Sequence, residues 1–100
     1  MKQARFLAAA RLEYLAEVAY YSEIESGLGL RFTDAVEEAT SRALAFPLAG
    51  SPFGSGTRRV LLKDFPFSLV YRVEHNGILV LALAPDAKMP GYWRSRLPAR

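Results

Sequence analysis

At 100 residues, 51% of them apolar and 23% charged, the chain has the make-up of one small globular domain spanning residues 1–100, with a correspondingly thin margin of stability. The absence of cysteine excludes disulfides, thiolate metal ligands and a cysteine nucleophile, and with a single histidine it leaves no metal set and no expected cofactor; a reducing cytoplasm is the expected setting. The net charge of +3 is unevenly spread, since eight of the ten acids precede residue 70 while eight bases lie from Arg58 onward, and a basic C-terminal half suits either a polyanionic partner or a merely solvated face.

Residues Lys2 to Phe6 are a candidate first strand, and Arg5, Arg11 and Glu13 interrupt the N-terminal alanines, so no signal peptide is expected. A helical pattern follows. Leu12, Leu15, Ala16 and Ala19 recur at i, i+3, i+4 and i+7 as the stripe to be buried, with Arg11, Glu13, Glu17 and Glu23 toward water. Gly27 and Gly29 close this helix and turn the chain back. In the second helix Phe32, Val36, Ala39, Ala43 and Phe46 form one face and Asp34, Glu37, Glu38, Ser41 and Arg42 the other, until Pro47 stops it. So short a link makes the pair an antiparallel hairpin.

From Pro47 to Gly56 the chain is loop punctuation, after which the period changes to two. Thr57 to Lys63 and Phe67 to Glu74 read as strands, and Asn76-Gly77 as a type I′ turn leading to a third, Ile78 to Leu83. That last run is apolar on both faces and too short to cross a bilayer, so it is either a central strand or one covered by helices on one side and a partner on the other. The expected fold is α+β with two layers, a helical hairpin on a small antiparallel sheet in the order β-α-α-β-β-β.

Several side chains are ambiguous between packing and function. Arg59 and Lys63 share a strand face by alternation and form either a cationic patch or ion pairs with Glu37 or Glu38. Arg72 lies within an apolar strand and is either bridged internally or aimed at a ligand. Tyr20, Tyr21, Phe46 and Phe65 are expected in the core, whereas Trp93 either caps it or joins Tyr92 in a binding surface beside Arg94 and Arg96. His75 sits at a hairpin tip, where histidines are ordinarily solvated.

Ala19-Tyr20-Tyr21, Gly27 to Phe32, Phe46-Pro47, Arg58 to Leu62, Phe65 to Arg72 and Pro90-Gly91-Tyr92-Trp93 occur in an order and spacing that resembles the RelE/ParE superfamily of toxins, in particular its ParE-like, plasmid stabilisation branch. The resemblance covers roughly residues 2 to 97. It implies the toxin of a type II toxin–antitoxin pair, cytoplasmic and growth-arresting, neutralised by a cognate antitoxin with which it forms a hetero-oligomer. Its target would be DNA gyrase, inhibited by binding, with Arg58, Arg59, Arg72, Lys88, Tyr92, Trp93, Arg94 and Arg96 as the residues meeting target or antitoxin. The alternatives are a ribosome-dependent mRNA endoribonuclease using Arg59, Lys63, Arg72 and Lys88, and an inactivated relative. One departure bears on that choice: relatives carry a His five residues before the proline of Pro90-Gly91-Tyr92-Trp93 and an Arg two before it, where this chain has Pro85 and Lys88. The imidazole is lost, and any mechanism in which it moves a proton is lost with it.

Overall fold

The computed structural model describes residues 2–88 and 91–97. Strand β1 (Gln3–Phe6) leads into helices α1 (Ala8–Ile24) and α2 (Leu28–Ala45), and then into β2 (Ser51–Pro52), β3 (Arg58–Leu61), β4 (Phe67–Glu74) and β5 (Gly77–Pro85). The sheet order is β1-β5-β4-β3-β2. The α+β class, the element order and the helical hairpin are as expected, with the two-residue β2 added. The sheet is mixed rather than wholly antiparallel, because β1 runs parallel to β5 with Gln3 opposite Gly77 and Phe6 opposite Val80. A four-residue strand carries no signal of its direction in its own sequence.

The hairpin between β4 and β5 also differs from expectation. Glu74 pairs with Gly77, so the loop is His75-Asn76, and neither residue has positive φ. Gly77 is needed for another reason: at φ 146° it lies against β1, and a Cβ there would fall on the Gln3 carbonyl oxygen. A comparable close approach fixes the helical hairpin, where a Cβ on Gly29 would meet the Ser22 hydroxyl and the Val18 carbonyl.

Both helices lie on one face of the sheet. From α2, Phe32, Val36, Ala39 and Ala43 enter the core as their spacing predicts. Phe46 does not: it follows the last helical turn with φ −134° and ψ 70°, so helical periodicity no longer aims it, and it is 67% exposed. Helix α1 presents the opposite face from the one expected. Leu12 is 67% and Leu15 56% exposed, Ala16, Ala19 and Tyr20 are exposed as well, and Tyr14, Val18 and Tyr21 pack inward. An alanine-rich helix apolar on most sides offers two stripes, and the aromatic one wins because its rings reach further. Tyr21 lies 5.1 Å from Phe32 and 5.0 Å from Phe65, and Tyr14 stacks on Phe6 at 6.1 Å, in the range where aromatic pairs add to simple burial.

Strand β5 is central and buried on both faces. A bulge shifts its register against β4, so that Val70 opposes Ala82 and Tyr71 opposes Val80. The extra residue reverses the alternation. Ile78, Val80 and Leu83 face the helices, whereas Leu79, Leu81, Ala82 and Ala84 face the far side. Of the two readings of this run the central strand holds, and cover for the far side comes from the chain itself: Trp93, capping the core as one of its two readings had it, closes with Phe53, Tyr92 and Leu97 over Val70 and the β5 residues.

Candidate target-binding surface

The C-terminal segment that carries Trp93 is held across the far face by an acid from the other layer. Beyond Phe6, where β1 ends, β5 has no paired strand on that edge among the described residues, and its bulged backbone there needs partners. Glu13 of α1 supplies one and organises the rest. Its carboxylate accepts from the Leu83 amide at 3.1 Å, from the Tyr92 hydroxyl at 2.8 Å and from both terminal nitrogens of Arg96 at 2.9 and 3.0 Å. Arg96 donates in turn to the Leu81 carbonyl at 3.0 Å. Burial, reinforced by the Glu13 carboxylate, pushes the Tyr92 hydroxyl well above its ordinary pKa, so it stays a protonated donor. Glu13, expected in solvent, is thus the clasp joining helix, sheet and C-terminal segment.

Beneath the clasp Trp93 is a plug. It is 1% exposed, stacked on Phe53 at 4.8 Å and 12°, with Tyr92 edge-on at 5.7 Å. Around this plug the expected site residues divide into two groups. Arg58 donates to the Leu48 and Gly50 carbonyls at 3.1 and 2.8 Å and, with the Tyr71 hydroxyl on the Pro47 carbonyl, holds the loop after α2. Arg72 meets Glu74 at 2.7 Å, the internal bridge of its two readings, and Glu74 also accepts from Arg5; those two guanidinium groups hold its carboxyl below the usual range. Arg96 belongs to Glu13. The charges of Arg59, Lys88 and Arg94 have no carboxylate partner among the described residues. Arg59 lies over the Phe53 ring at 4.3 Å and Lys88 over Tyr92 at 4.3 Å, while Arg94 is exposed above Gly54.

Neither reading of Arg59 and Lys63, as one shared patch or as ion pairs with Glu37 or Glu38, is met among the described residues. Glu38 is taken by Arg42, which also donates to the Leu61 carbonyl, and β3 ends at Leu61, so Lys63 lies in a groove beside α2 with Asp34, Glu38 and Phe65. Arg59 and Lys63 therefore serve different surfaces. Between Arg59 and Lys88 lies a cavity of about 30 Å³ whose floor includes Ser68, donating to Asp86 at 2.9 Å, and Trp93. His75 is at the opposite end of β5, roughly 25 Å away at about 3.3 Å per strand residue.

Residues 5–90 match the family described as ParE toxin of type II toxin-antitoxin system, parDE. The chain belongs to the ParE toxin family. A solved structure described as a chromosomal ParDE TA system from P. aeruginosa superposes with a TM-score of 0.70 at 20% identity, over 85% of this chain and 96% of that one. No curated protein matches the sequence.

For a ParE-family toxin, the departure at Pro85 and Lys88 now has a structural setting. Pro85 ends β5 opposite Phe67, and Lys88 sits on the Tyr92 ring; Pro90 and Arg100 lie outside the described residues. The Glu13 clasp, the Phe53–Trp93 stack and the Ser68–Asp86 bond escaped the sequence reading. Each joins residues 18 to 83 positions apart, and nothing in local periodicity links them. A glutamate on α1 placed among alanines was the one available hint, because a charge beside so apolar a helix face needs a partner.

Proposed function

We propose that this ParE-family toxin acts by binding DNA gyrase and not by cutting RNA, and that a cognate antitoxin neutralises it within a hetero-oligomer. The observation that carries the reading is the chemistry around Arg59 and Lys88. Cleavage of a ribose-phosphate chain needs a base for the 2′-hydroxyl and an acid for the leaving oxygen. The sole histidine is at the far end of the sheet, the Tyr92 hydroxyl is committed to Glu13 with its pKa raised, and the cavity, at about 30 Å³, is too small for a nucleotide. Arg59, Lys88 and Arg94 can still attract and orient an acidic protein surface, a task that needs no proton transfer.

The exposed side of α1, with Leu12, Leu15, Ala16, Ala19 and Tyr20, supports the antitoxin half of the proposal. Apolar residues contiguous along one exposed helix face fit a partner that covers them. The test uses purified chain in two assays. Inhibition of gyrase supercoiling, relieved by the antitoxin encoded beside it, is expected, with no cleavage of ribosome-bound mRNA; cleavage without gyrase inhibition would reverse the assignment.

A further inference from the structure

Strand β1 is an outer strand of the sheet, paired with β5 on one side only. Its backbone alternates. The Gln3 and Leu7 amides donate to the Asn76 and Val80 carbonyls, so the N–H and C=O groups of Ala4 and Phe6, and of Lys2 before the strand, point to the open edge. The side chains of these even-numbered residues take the helix side of the sheet, where Ala4 and Phe6 pack against the core. Beside that edge lies a groove of about 360 Å³, lined by Phe6, Tyr14, Val36, Glu37, Thr40 and Ser41. We propose that this edge is the interface of a homodimer, in which β1 pairs antiparallel with β1 of a second copy across a two-fold axis and joins two five-stranded sheets into one.

Charge and register select a second copy. With the two-fold axis at Ala4, Ala4 opposes Ala4, Gln3 opposes Arg5 and Lys2 opposes Phe6, and all three outward-facing residues find backbone partners. Lys2 of each copy then stands about 5 Å from the Phe6 that lines the other's groove, so its stem covers that ring and its ammonium reaches Glu37. Lys2 and Glu37 are both exposed, and neither has an ion-pair partner among the described residues. The two-fold axis makes this pair twice. Other registers fail. Sliding the copy until Ala4 opposes Phe6 sets Arg5 against Arg5, like charges face to face. Sliding it further puts Ala4 against Ala8, which is already in α1, and sliding it back until Lys2 opposes Ala4 leaves Phe6 unpaired. The opposite edge of the sheet offers no such ladder, because β2 is two residues long and Pro52 has no N–H to give. The dimer does not depend on what the toxin targets.

Sedimentation velocity on the full chain, from about 5 to 500 µM, is expected to show reversible dimerisation with a Kd on the order of 100 µM, weak because so short an edge buries less than a standard interface. Lys2→Glu and Glu37→Lys each bring like charges together twice, and each should raise that Kd about fivefold or more, while the double reversal restores it to within about twofold. Both positions are exposed, so the variants keep the fold, which melts at low concentration confirm. Amide exchange reads the edge itself: the Ala4 and Phe6 amides should slow as concentration rises, whereas those of Gln3 and Arg5, turned to β5, should not. A chain that stays monomeric at the highest concentration, or a Kd indifferent to the reversals, would overturn the dimer at this edge. So would Ala4 and Phe6 amides protected only when the antitoxin is added, a result that assigns the edge to a strand of that protein. None of these readouts involves gyrase, so a chain that leaves supercoiling untouched discards the target and keeps the dimer.

Discussion

Replacing Glu13 by alanine should cost more than any other single surface-layer change in this protein. The substitution leaves the Leu83 amide and the Tyr92 hydroxyl without an acceptor and strands the Arg96 guanidinium, whose side chain is 21% exposed. Each neutral group orphaned in a half-buried site costs about 1 kcal/mol, and breaking a largely buried ion pair up to about 3–5 kcal/mol. Because all three share one carboxylate the costs do not add, and a total of roughly 3 kcal/mol is expected. In a domain of this size that lowers Tm by roughly 12–20 °C. Urea denaturation followed by both circular dichroism and Trp93 fluorescence measures it. Emission should shift to the red, as the plug loosens, before far-ultraviolet ellipticity is lost. A destabilisation below about 1 kcal/mol, or fluorescence and ellipticity transitions that coincide at the wild-type midpoint, would refute the clasp.

Helix α1 supplies a paired test of which stripe is buried. Leu15→Glu should change stability by no more than about 0.5 kcal/mol, while Tyr14→Ala should cost about 3 kcal/mol; the reverse ranking in thermal melts would restore the face first expected from periodicity. Gly77→Ala should destabilise by more than about 2 kcal/mol, because strand β1 has to move away from the new Cβ, and exchange of the β1 amides measures that loss. The Glu74 carboxyl, depressed by Arg72 and Arg5, contributes stability that is fully present above its unfolded value of 4.5 and is lost as pH falls through its lower folded value. Stability of Glu74→Gln should accordingly fall less steeply than that of the parent below pH 4.5, and parallel acid titration curves would contradict the assignment.

The architecture was legible because its signals are local: a glycine pair between two amphipathic runs, a proline after the second, and a change of period from 3.6 to two. Strand β4 matches its expected limits residue for residue, since Phe67 to Glu74 combines alternation with turn residues on both sides. The hairpin and the buried face of α2 followed from the spacing as well, whereas the buried side of α1 and the cover of the far face of β5 did not. Which side of α1 is buried was settled by the reach of Tyr14 and Tyr21 to Phe6, Phe32 and Phe65, and the far face of β5 was closed by a tryptophan that arrives about ten residues after the strand's middle. The basic C-terminal half was visible as charge, but charge alone did not separate Arg58, Arg72 and Arg96, each occupied within the fold, from Arg59, Lys88 and Arg94. That separation depends on carbonyls and carboxylates brought in from the loop after α2, from β4 and from α1.

The most direct measurement is binding of the purified chain to gyrase, compared with the triple variant Arg59→Ala, Lys88→Ala, Arg94→Ala. Each free cation at such a rim contributes about 0.5–1 kcal/mol to an acidic partner, so the variant should bind at least tenfold more weakly, with an unchanged Tm and a shallower salt dependence. Equal binding by the two proteins, or no binding by either, would contradict the account.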